Sequence, residues 1–343
     1  MTEKESPASA DTARIVELIL AFRRSKTMFA AVELGIFDRL AVQSSASEEL
    51  AQVIDVNSSA LARLLDACVS LGLLARNEDK YQNTAVTNRF IVSHSPSTLS
   101  GYIKYSNESL YKLWDRLEDA VREGGHRWTQ LFGNRDALFD HYFRSDAEAA
   151  NFLAGMHGFG RLASPLAVRA FDLNRFTHLV DLGGATGHLA IAACEAYPNL
   201  RATVLDLAKV EKFARDHIAR SSAADRIDFL ASDFFAEPLP SGDLYNLGRV
   251  LHDWSEEKIL MLLQKIHRAL PSGGGLLIEE TILDSDRSGP VPSLMQDLNM
   301  LVCTDGKERT FSEYREMLQS VGFASVDYRL TGPTVDAMLA MKG

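Results

Sequence analysis

The chain has 343 residues and a mass of 37.9 kDa, and 46% of its residues are apolar and 24% charged. This length predicts two domains, or one domain with a sizeable attachment, and the composition is that of a folded globular protein. The net charge of −10 excludes the generally basic surface of a nucleic-acid-binding protein. Cys68, Cys194 and Cys303 form no CxxC pair and no metal-binding spacing, which favours a reduced, cytoplasmic compartment.

The N-terminal segment MTEKESPASADTAR is polar and lacks the apolar run of a signal peptide. No segment approaches the roughly 18 consecutive apolar residues that a membrane-spanning helix needs. We therefore expect neither secretion nor insertion into a membrane.

Residues 1–11 are predicted to form a disordered lead. From Thr12 to about Leu34, apolar residues recur at the spacing of a helix, which Gly35 ends. This helix and the segment that continues to Leu40 carry more apolar surface than one small domain is expected to bury. The sequence therefore predicts a homodimer built by the N-terminal domain.

A winged-helix outline follows, made of two helices and a hairpin. Ser47 is predicted to begin a short helix, and Asn57 to cap a second helix that ends near Gly72. Residues 73–84 are predicted to form a hairpin. Residues 45–100 contain four lysines or arginines and six acids. An acidic winged helix binds phosphate backbones poorly, which favours a dimerisation module over a DNA-binding domain.

Residues 98–170 are predicted to form a helical connector with many aromatic side chains. Most of these side chains are expected to lie in the core, and a few can line a pocket for a flat substrate. The pattern does not separate the two groups. Pocket candidates on this connector are Phe152, Met156 and His157. The predicted division of the chain is 1–97, 98–170 and 171–343.

From Phe176 onwards, strands alternate with helices, which predicts an α/β fold with a parallel, doubly wound, Rossmann-like sheet. The predicted strands are His178–Leu182, Arg201–Asp206, Asp228–Asp233, Asp243–Leu247 and Gly275–Glu280, and the predicted helices between them include His188–Tyr197 and Glu256–Leu270.

A glycine-rich turn, Val180-Asp-Leu-Gly-Gly-Ala-Thr-Gly187, follows the first of these strands. Such a turn lets a ligand approach the backbone closely. Its spacing differs from the GxGxxG fingerprint of dinucleotide-binding proteins, and Asp181 would repel a pyrophosphate. The candidate cofactor-binding residues of the turn are Asp181, Gly183, Gly184 and Gly187.

Two further acids are predicted at the ends of the next strands. Asp206, followed by Leu207, ends the second strand where a carboxylate can accept ribose hydroxyls. Asp233 ends the third, where it can accept from an adenine amino group while Phe234 or Phe235 packs on the ring. Three acids at successive strand ends, without a basic partner for phosphate, fit S-adenosyl-L-methionine better than a dinucleotide. The alternative for each aspartate alone is a capping or turn residue.

The run Arg249-Val-Leu-His-Asp-Trp254 follows the fourth strand. Together with the glycine-rich turn upstream and Gly306-Lys-Glu-Arg-Thr downstream, it resembles the S-adenosylmethionine-dependent small-molecule O-methyltransferases, which include caffeate, flavonoid, polyketide and acetylserotonin enzymes. The resemblance covers nearly the whole chain, and Phe29–Asp38 is similar to the family's dimerisation segment. It implies a homodimer with an N-terminal, mostly helical dimerisation domain, a Rossmann-like catalytic domain, and a histidine base that works without a metal.

The resemblance assigns the catalytic roles to three residues. His252 matches the family's general base, and a neutral imidazole can take the proton of a phenol whose pKa is about 10. Glu280 and Glu308 match the carboxylates that orient this histidine and stabilise the imidazolium. Glu279 should point to the opposite face of its strand and be solvated or structural.

The resemblance also assigns residues to the cofactor site and to the acceptor pocket. Arg249 is similar to an active-site arginine of the acetylserotonin branch and is a candidate for the cofactor site. Asp253 can touch the acceptor or cap the next helix, although Ser255 is the more natural cap. The match adds three acceptor-pocket candidates near residue 300: Asn299, Met300 and Cys303. Cys303 departs from the acetylserotonin branch, which has a longer polar amide there, so the acceptor stays open.

The leading interpretation is methyl transfer to a hydroxyl of an aromatic small molecule such as a phenol, a hydroxyindole or a polyketide. Related proteins methylate nitrogen, or bind the cofactor and catalyse hydroxylation or decarboxylation. The retention of His252, Glu280 and Glu308 favours O-methylation. A winged-helix regulator that senses S-adenosylmethionine is a third interpretation, against which the acidic N-terminal domain argues.

Overall fold

The computed structural model of the chain describes residues 7–135, 138–332 and 335–343. It divides into two compact units, Met1–Glu108 and Ser109–Gly343. The three-part division stays a prediction about how the chain folds.

The N-terminal unit contains the predicted helices and hairpin. Its first helix begins at Pro7, earlier than predicted, because proline at the first helical position loses no hydrogen bond. Residues 1–6 of the predicted lead lie outside the described residues. Asn57 caps its helix as predicted, accepting the N–H of Ala60 over 2.9 Å. The elements are α1 (Pro7–Glu33), α2 (Ile36–Val42), β1 (Ser45–Ala46), α3 (Ser47–Ile54), α4 (Ser58–Ser70), β2 (Leu74–Asn77), β3 (Lys80–Asn83), α5 (Ala85–Phe90) and α6 (Ser100–Tyr105).

A small antiparallel sheet, ordered β1-β3-β2, completes the winged-helix outline. Strand β1 was not predicted because two residues carry no periodicity. Phe37 of α2, Leu65 and Cys68 of α4, and Tyr81 of β3 share one apolar core in this unit. The helices are therefore held together by the same residues whose spacing predicted them.

The second unit alternates helices and strands after a helical connector. Its elements, with the turn that leads into it, are a π-helical turn at Ser106–Leu110, α7 (Tyr111–Trp114), α8 (Leu117–Glu123), α9 (Trp128–Phe132), a 3₁₀ turn at Leu138–His141, α10 (Asp146–Arg169), β4 (His178–Leu182), α11 (His188–Ala196), β5 (Arg201–Asp206), a 3₁₀ turn at Ala208–Val210, α12 (Glu211–Ile218), a 3₁₀ turn at Ala224–Arg226, β6 (Ile227–Ala231), β7 (Leu244–Gly248), a 3₁₀ turn at Leu251–Asp253, α13 (Glu256–Ala269), β8 (Gly275–Glu280), β9 (Ile282–Leu283), α14 (Val291–Cys303), β10 (Arg309–Thr310), α15 (Phe311–Ser320), β11 (Phe323–Arg329) and β12 (Asp336–Lys342).

The main sheet has seven strands in the order β11-β12-β8-β7-β4-β5-β6. The five strands from β8 to β6 are parallel, as predicted. Strands β11 and β12 add an antiparallel edge to the sheet. This edge was not predicted, because a short apolar run such as β12 is compatible with a strand and with a helix. The third parallel strand is shorter than predicted and ends at Ala231, so the assignment of Asp233 to a strand end is wrong.

Both faces of the sheet are covered by helices. On β8, Leu277 faces the layer that contains residues of α10, α11 and α12, whereas Ile278 faces the layer of α13 and α15. Successive residues of a strand point to opposite faces. Glu279 and Glu280, the last two residues of β8, therefore enter different layers, and both are buried.

Helix α1 has an apolar face that is open to solvent. Ile15, Leu18, Ile19 and Phe22 are each between 53% and 65% exposed. A face of this kind is typical of an interface with another chain. No helix of the described residues is long and apolar enough to cross a lipid bilayer.

We expect the double substitution Leu18→Glu with Phe22→Glu to dissociate a homodimer, because it puts two charges on this apolar face. Light scattering at micromolar concentration measures the mass. Val121→Glu, at an equally exposed valine of α8, is the matched control. A monomeric wild-type chain, or a double variant that stays dimeric, would contradict the prediction.

Candidate active site

The glycine-rich turn lies between β4 and α11, at the carboxyl edge of the parallel sheet. Gly183 and Gly187 have φ angles of +68° and +77°, which favour glycine, and Ala185 has a φ of +47°. The N–H of Gly183 donates to the carbonyl of Leu205 over 2.8 Å, which fastens the turn to β5. Ligands of open α/β sheets bind at this edge.

Asp181 lies at the end of β4 beneath the turn and is 2% exposed. Gly184 passes so close that a Cβ there would lie 2.6 Å from Asp181 Oδ2. Asp181 Oδ1 accepts from Asn246 Nδ2 over 2.8 Å, whereas Oδ2 has no hydrogen-bond partner within the described residues. Burial raises the pKa of this carboxyl to about 6. The turn therefore covers a buried acid with an unused acceptor oxygen.

Asp206 ends β5 and connects that strand to the turn. Its Oδ2 accepts the N–H of Ala185 over 2.8 Å, and its Oδ1 accepts the N–H of Leu207 over 2.7 Å. Burial raises the pKa of Asp206 to about 6, and the two hydrogen bonds partly oppose that shift. Each carboxylate oxygen keeps a second lone pair for a ligand hydroxyl.

Asp233 lies in the turn after β6, where its Oδ1 accepts the N–H of Phe235 over 2.8 Å. Through this hydrogen bond Asp233 stabilises the turn, which is the alternative that the sequence analysis gave for this residue. A contact of Asp233 with an adenine stays a prediction. Phe234 borders the glycine-rich turn, since a Cβ at Gly183 would lie 3.6 Å from its ring. The rings of Phe234 and Phe235 are 4.8 Å apart.

These groups fit S-adenosyl-L-methionine. Asp181 and Asp206 bring negative charge and acceptor oxygens to the turn, which attract cations and hydroxyl donors and repel phosphate. Phe234 adds an aromatic face for a base. The unpartnered Asp181 Oδ2 is the observation that favours a cationic, donor-bearing ligand.

His252 lies in the 3₁₀ turn after β7 and is 3% exposed. Its Nδ1 is 2.8 Å from Glu308 Oε1 and 3.2 Å from Glu280 Oε2. A carboxylate only accepts hydrogen bonds, so ionisation of either partner assigns the proton to Nδ1 and the lone pair to Nε2. The structure brings together all three predicted catalytic residues.

Backbone contacts hold the two carboxyl groups in place. Glu280 Oε1 accepts the N–H of Leu251 over 2.8 Å, and the N–H of Glu308 donates to Asp297 Oδ1 over 2.8 Å. Gly306 passes so close to His252 that a Cβ there would lie 2.1 Å from the histidine carbonyl oxygen. The segment that carries Glu308 can approach the histidine because residue 306 is a glycine.

Burial raises the pKa of every acid around His252. It raises the pKa of Glu308 to about 8 and that of Asp253 to about 6, and it also raises the pKa of Glu280. The Arg249 guanidinium opposes each of these shifts. An imidazolium between these groups would offset the charge that burial disfavours.

Arg249 adopts a φ of +56°, which is costly for a residue with a side chain. Its N–H donates to the carbonyl of Glu279 over 2.8 Å, and this bond holds the strained residue at the end of β7. Val250, the next residue, lies against the glycine-rich turn, since a Cβ at Gly183 would be 3.0 Å from its Cγ2. The segment from Arg249 to His252 therefore runs along the candidate cofactor site.

Asp253 Oδ1 is 3.6 Å from His252 Nε2. Ser255 caps α13, as predicted, so Asp253 is not needed as the cap. The Trp254 ring lies 5.0 Å from that of Phe235 and 5.6 Å from that of Phe139. Trp254 therefore joins the aromatic residues of the cofactor site to those of the connector.

Asn299, Met300 and Cys303 are buried on α14. Asn299 Oδ1 accepts from the indole Nε1 of Trp114 over 2.9 Å, a contact that sequence reasoning missed because the two residues are 185 positions apart. Burial raises the pKa of the Cys303 thiol, and the charge of Asp253 adds to that shift.

The three pocket candidates on α10 differ in their contacts. Phe152 belongs to an aromatic cluster with residues of the connector, and Met156 is half-buried. His157 Nδ1 lies 2.8 Å from Thr186 Oγ1 in the glycine-rich turn, and its ring stacks on that of His217. Burial lowers the pKa of His157 to about 2, which keeps it neutral. His157 is therefore grouped with the turn and not with His252.

Glu279 lies on the face of β8 opposite to Glu280, as predicted, and its burial excludes the solvated alternative. It was expected to be solvated or structural, and it is 3% exposed. Its Oε1 has no hydrogen-bond partner in the described part of the chain. The signal was present in the continuous apolar run of β8, because a parallel strand covered on both faces buries both glutamates.

His252, Glu280 and Glu308 also offer ligand atoms within 4.8 Å of one another, which is compatible with a metal ion. In the structure, the imidazole Nδ1 faces both carboxyl groups at hydrogen-bond distances. A proton on Nδ1 satisfies the contact with Glu308 Oε1 without a metal, whereas Glu280 Oε2 and Glu308 Oε2 have no hydrogen-bond partner among the described residues. Independence from metals stays a prediction.

Comparison with known proteins identifies the family of the chain. A family profile described as O-methyltransferase domain matches residues 114–324, and one described as O-methyltransferase dimerisation domain matches residues 16–93. Acetylserotonin O-methyltransferase from Gallus gallus is 40% identical over 329 residues, which cover 94% of both chains, and the Homo sapiens enzyme is 38% identical over 328 residues, covering 94% of this chain and 95% of its own.

Solved structures show the same likeness. The crystal structure of human N-acetylserotonin methyltransferase in complex with SAM, S-adenosylmethionine, has a TM-score of 0.93 and 36% sequence identity and covers 100% of both chains. The structure described as PigF with SAH has a TM-score of 0.87 and 29% identity, with 98% of this chain and 100% of that chain covered. The predicted Rossmann-like fold and the predicted cofactor are thereby confirmed, and the chain belongs to the family of S-adenosylmethionine-dependent O-methyltransferases.

Proposed function

We propose that this methyltransferase methylates a hydroxyl of an aromatic small molecule, with His252 as the general base and without a metal ion. The observation that supports it most is the pair of buried carboxyl groups on Nδ1, which leaves Nε2 as the proton acceptor. Relatives named acetylserotonin O-methyltransferase favour a hydroxyindole, and phenols and polyketides belong to the same acceptor class.

When bound, S-adenosylmethionine supplies an electrophilic methyl group on a sulfonium sulfur. Asp181, Asp206 and the glycine-rich turn would hold the cofactor, and Phe234 would offer its ring to the adenine. His252 Nε2 takes the proton of the acceptor hydroxyl, and Glu308 with Glu280 stabilises the imidazolium. Holding acceptor and methyl group in line supplies much of the remaining acceleration.

The side chains near His252 favour a flat acceptor. The ring of Trp254 contacts that of Phe139, which lies 5.4 Å from the ring of Tyr142. Tyr142 in turn lies 4.7 Å from Phe152. Aromatic rings in contact offer faces on which a flat aromatic ring can stack. Cys303 is small at a position where the acetylserotonin branch has a longer amide, so this pocket has its own acceptor preference.

Asp206→Ala should weaken the binding of S-adenosylmethionine by about 1–3 kcal/mol, or about 5- to 150-fold, because it removes two charge-assisted hydrogen bonds that shape the turn. Isothermal titration calorimetry gives the dissociation constant. Asp228→Ala, at an exposed aspartate of the neighbouring strand β6, is the control. Equal affinities of the Asp206 variant and the wild type would remove Asp206 from the cofactor site.

His252→Ala should lower turnover by roughly 10²- to 10⁴-fold, the usual share of general base catalysis. The residual rate should recover as pH rises, because the acceptor hydroxyl then ionises without a base. The initial rate is measured against pH, with the exposed His94→Ala as the control. Full activity of His252→Ala near neutral pH would falsify the assignment of the base.

Glu308→Gln should cause a smaller loss of turnover than His252→Ala. The acidic limb of its pH–rate profile should move to lower pH, since an imidazolium without this carboxylate is less stable and loses its proton more easily. Glu316→Gln, at an exposed glutamate of α15, should leave the profile unchanged. An unchanged pH–rate profile of Glu308→Gln would show that Glu308 does not stabilise the His252 imidazolium electrostatically.

Dialysis against a chelator such as EDTA should leave the methylation rate unchanged, because the hydrogen bond between His252 Nδ1 and Glu308 and the proton transfer to Nε2 need no metal. Metal analysis of the purified protein should find no stoichiometric metal. A loss of activity on dialysis that returns with one divalent metal would instead assign these residues to a metal centre.

A further inference from the structure

A second buried polar cluster lies on the face of the sheet opposite to His252. Asp181 pairs in register with Asn246 across β4 and β7, and Gly248 pairs with Glu279 across β7 and β8. Because Gly248 has no side chain, the Glu279 carboxyl extends over it: a Cβ at Gly248 would lie 3.1 Å from Glu279 Oε1 and 3.4 Å from Asn246 Nδ2. Asp181, Asn246 and Glu279 thus form one cluster across three adjacent strands.

This cluster has more acceptors than donors. Asp181 Oδ2, Asn246 Oδ1 and Glu279 Oε1 are buried, and none of them has a hydrogen-bond partner within the residues that the structure describes. Asn246 Nδ2 bonds Asp181 Oδ1, and the backbone N–H of Ala190 also stabilises the Asp181 carboxylate. Buried acceptors normally find donors, so the cluster needs hydrogens from a proton or from a cationic ligand.

Electrostatics decides which residue carries a proton. Burial and the charges of Asp181 and Glu280 raise the pKa of Glu279 to about 8, and the Arg249 guanidinium opposes this shift. Burial and the charge of Asp206 raise the pKa of Asp181 to about 6. Two buried carboxyl groups that interact lose their protons in separate steps, and the larger shift makes Glu279 the last of the two to ionise as pH rises.

We propose that Glu279 is a specificity-determining carboxyl, which gives up its proton when the cationic cofactor binds beside the glycine-rich turn and keeps that proton when the neutral thioether product binds. The link to the turn is Asp181, whose Oδ2 lies beneath Gly184. Only the O–H bond of Glu279 breaks, and its proton passes to solvent. The ionised Glu279 then attracts the sulfonium, so the pocket prefers the cofactor to its product. This inference rests on the proposed cofactor site.

The first experiment uses the wild-type protein. Calorimetric titrations at pH 7 in two buffers of different ionisation enthalpy count the protons released on binding. We expect release of up to one proton with S-adenosylmethionine and almost none with S-adenosylhomocysteine. The preference for the cofactor over the product should then rise with pH, by at most about tenfold per pH unit between pH 6 and 8. Equal proton release by the two ligands would overturn the inference.

The second experiment uses variants whose folding is checked by circular dichroism. Glu279→Gln should abolish the proton release and flatten the pH dependence of the preference, whereas Glu279→Asp should retain both. Glu257→Gln, at an exposed glutamate of α13, is the matched control. Wild-type proton release by Glu279→Gln would assign the proton to another group and contradict the inference. Failure of the wild type to bind S-adenosylmethionine would instead contradict the cofactor site itself.

Discussion

Strand β8 delivers two adjacent glutamates into opposite layers of a sheet that is covered on both faces. Burying a carboxylate is costly unless a proton or a cation compensates its charge. In one layer Glu280 shares Nδ1 of His252 with Glu308, and in the other Glu279 joins Asp181. Desolvation of these carboxyl groups therefore favours a positive charge in each layer. In one layer that charge is the proton that His252 takes from the acceptor, and in the other it is the cationic cofactor.

This arrangement requires a strained or closely packed backbone at a few positions. Arg249 holds a left-handed conformation at the end of β7, and Gly306 and Gly184 pass where a side chain would collide with His252 or Asp181. These contacts fix the distances between charged groups before any substrate binds. Such preorganisation costs nothing at the moment of reaction, which is why it suits a transfer that needs orientation more than chemical activation.

Sequence reasoning identified the groups that short motifs carry: the glycine-rich turn, His252, and the two glutamates that meet it. It failed where long-range packing decides. The environment of Glu279 depends on both layers that cover β8, and the bond between Trp114 and Asn299 joins residues that no local pattern connects. The edge strands β11 and β12 were missed because the pairing of β12 with β8 and of β11 with β12, and not their own periodicity, makes them strands.

The central claim is that two buried carboxyl groups keep the proton on Nδ1 of His252 and the lone pair on Nε2. The ¹⁵N chemical shifts of the histidine ring nitrogens, assigned by comparison with His252→Ala, test it directly. At neutral pH the account predicts a protonated, pyrrole-like Nδ1 and an unprotonated, pyridine-like Nε2 for His252. A proton on Nε2 in the resting enzyme would contradict the account, because that nitrogen could not then accept the proton of the acceptor hydroxyl.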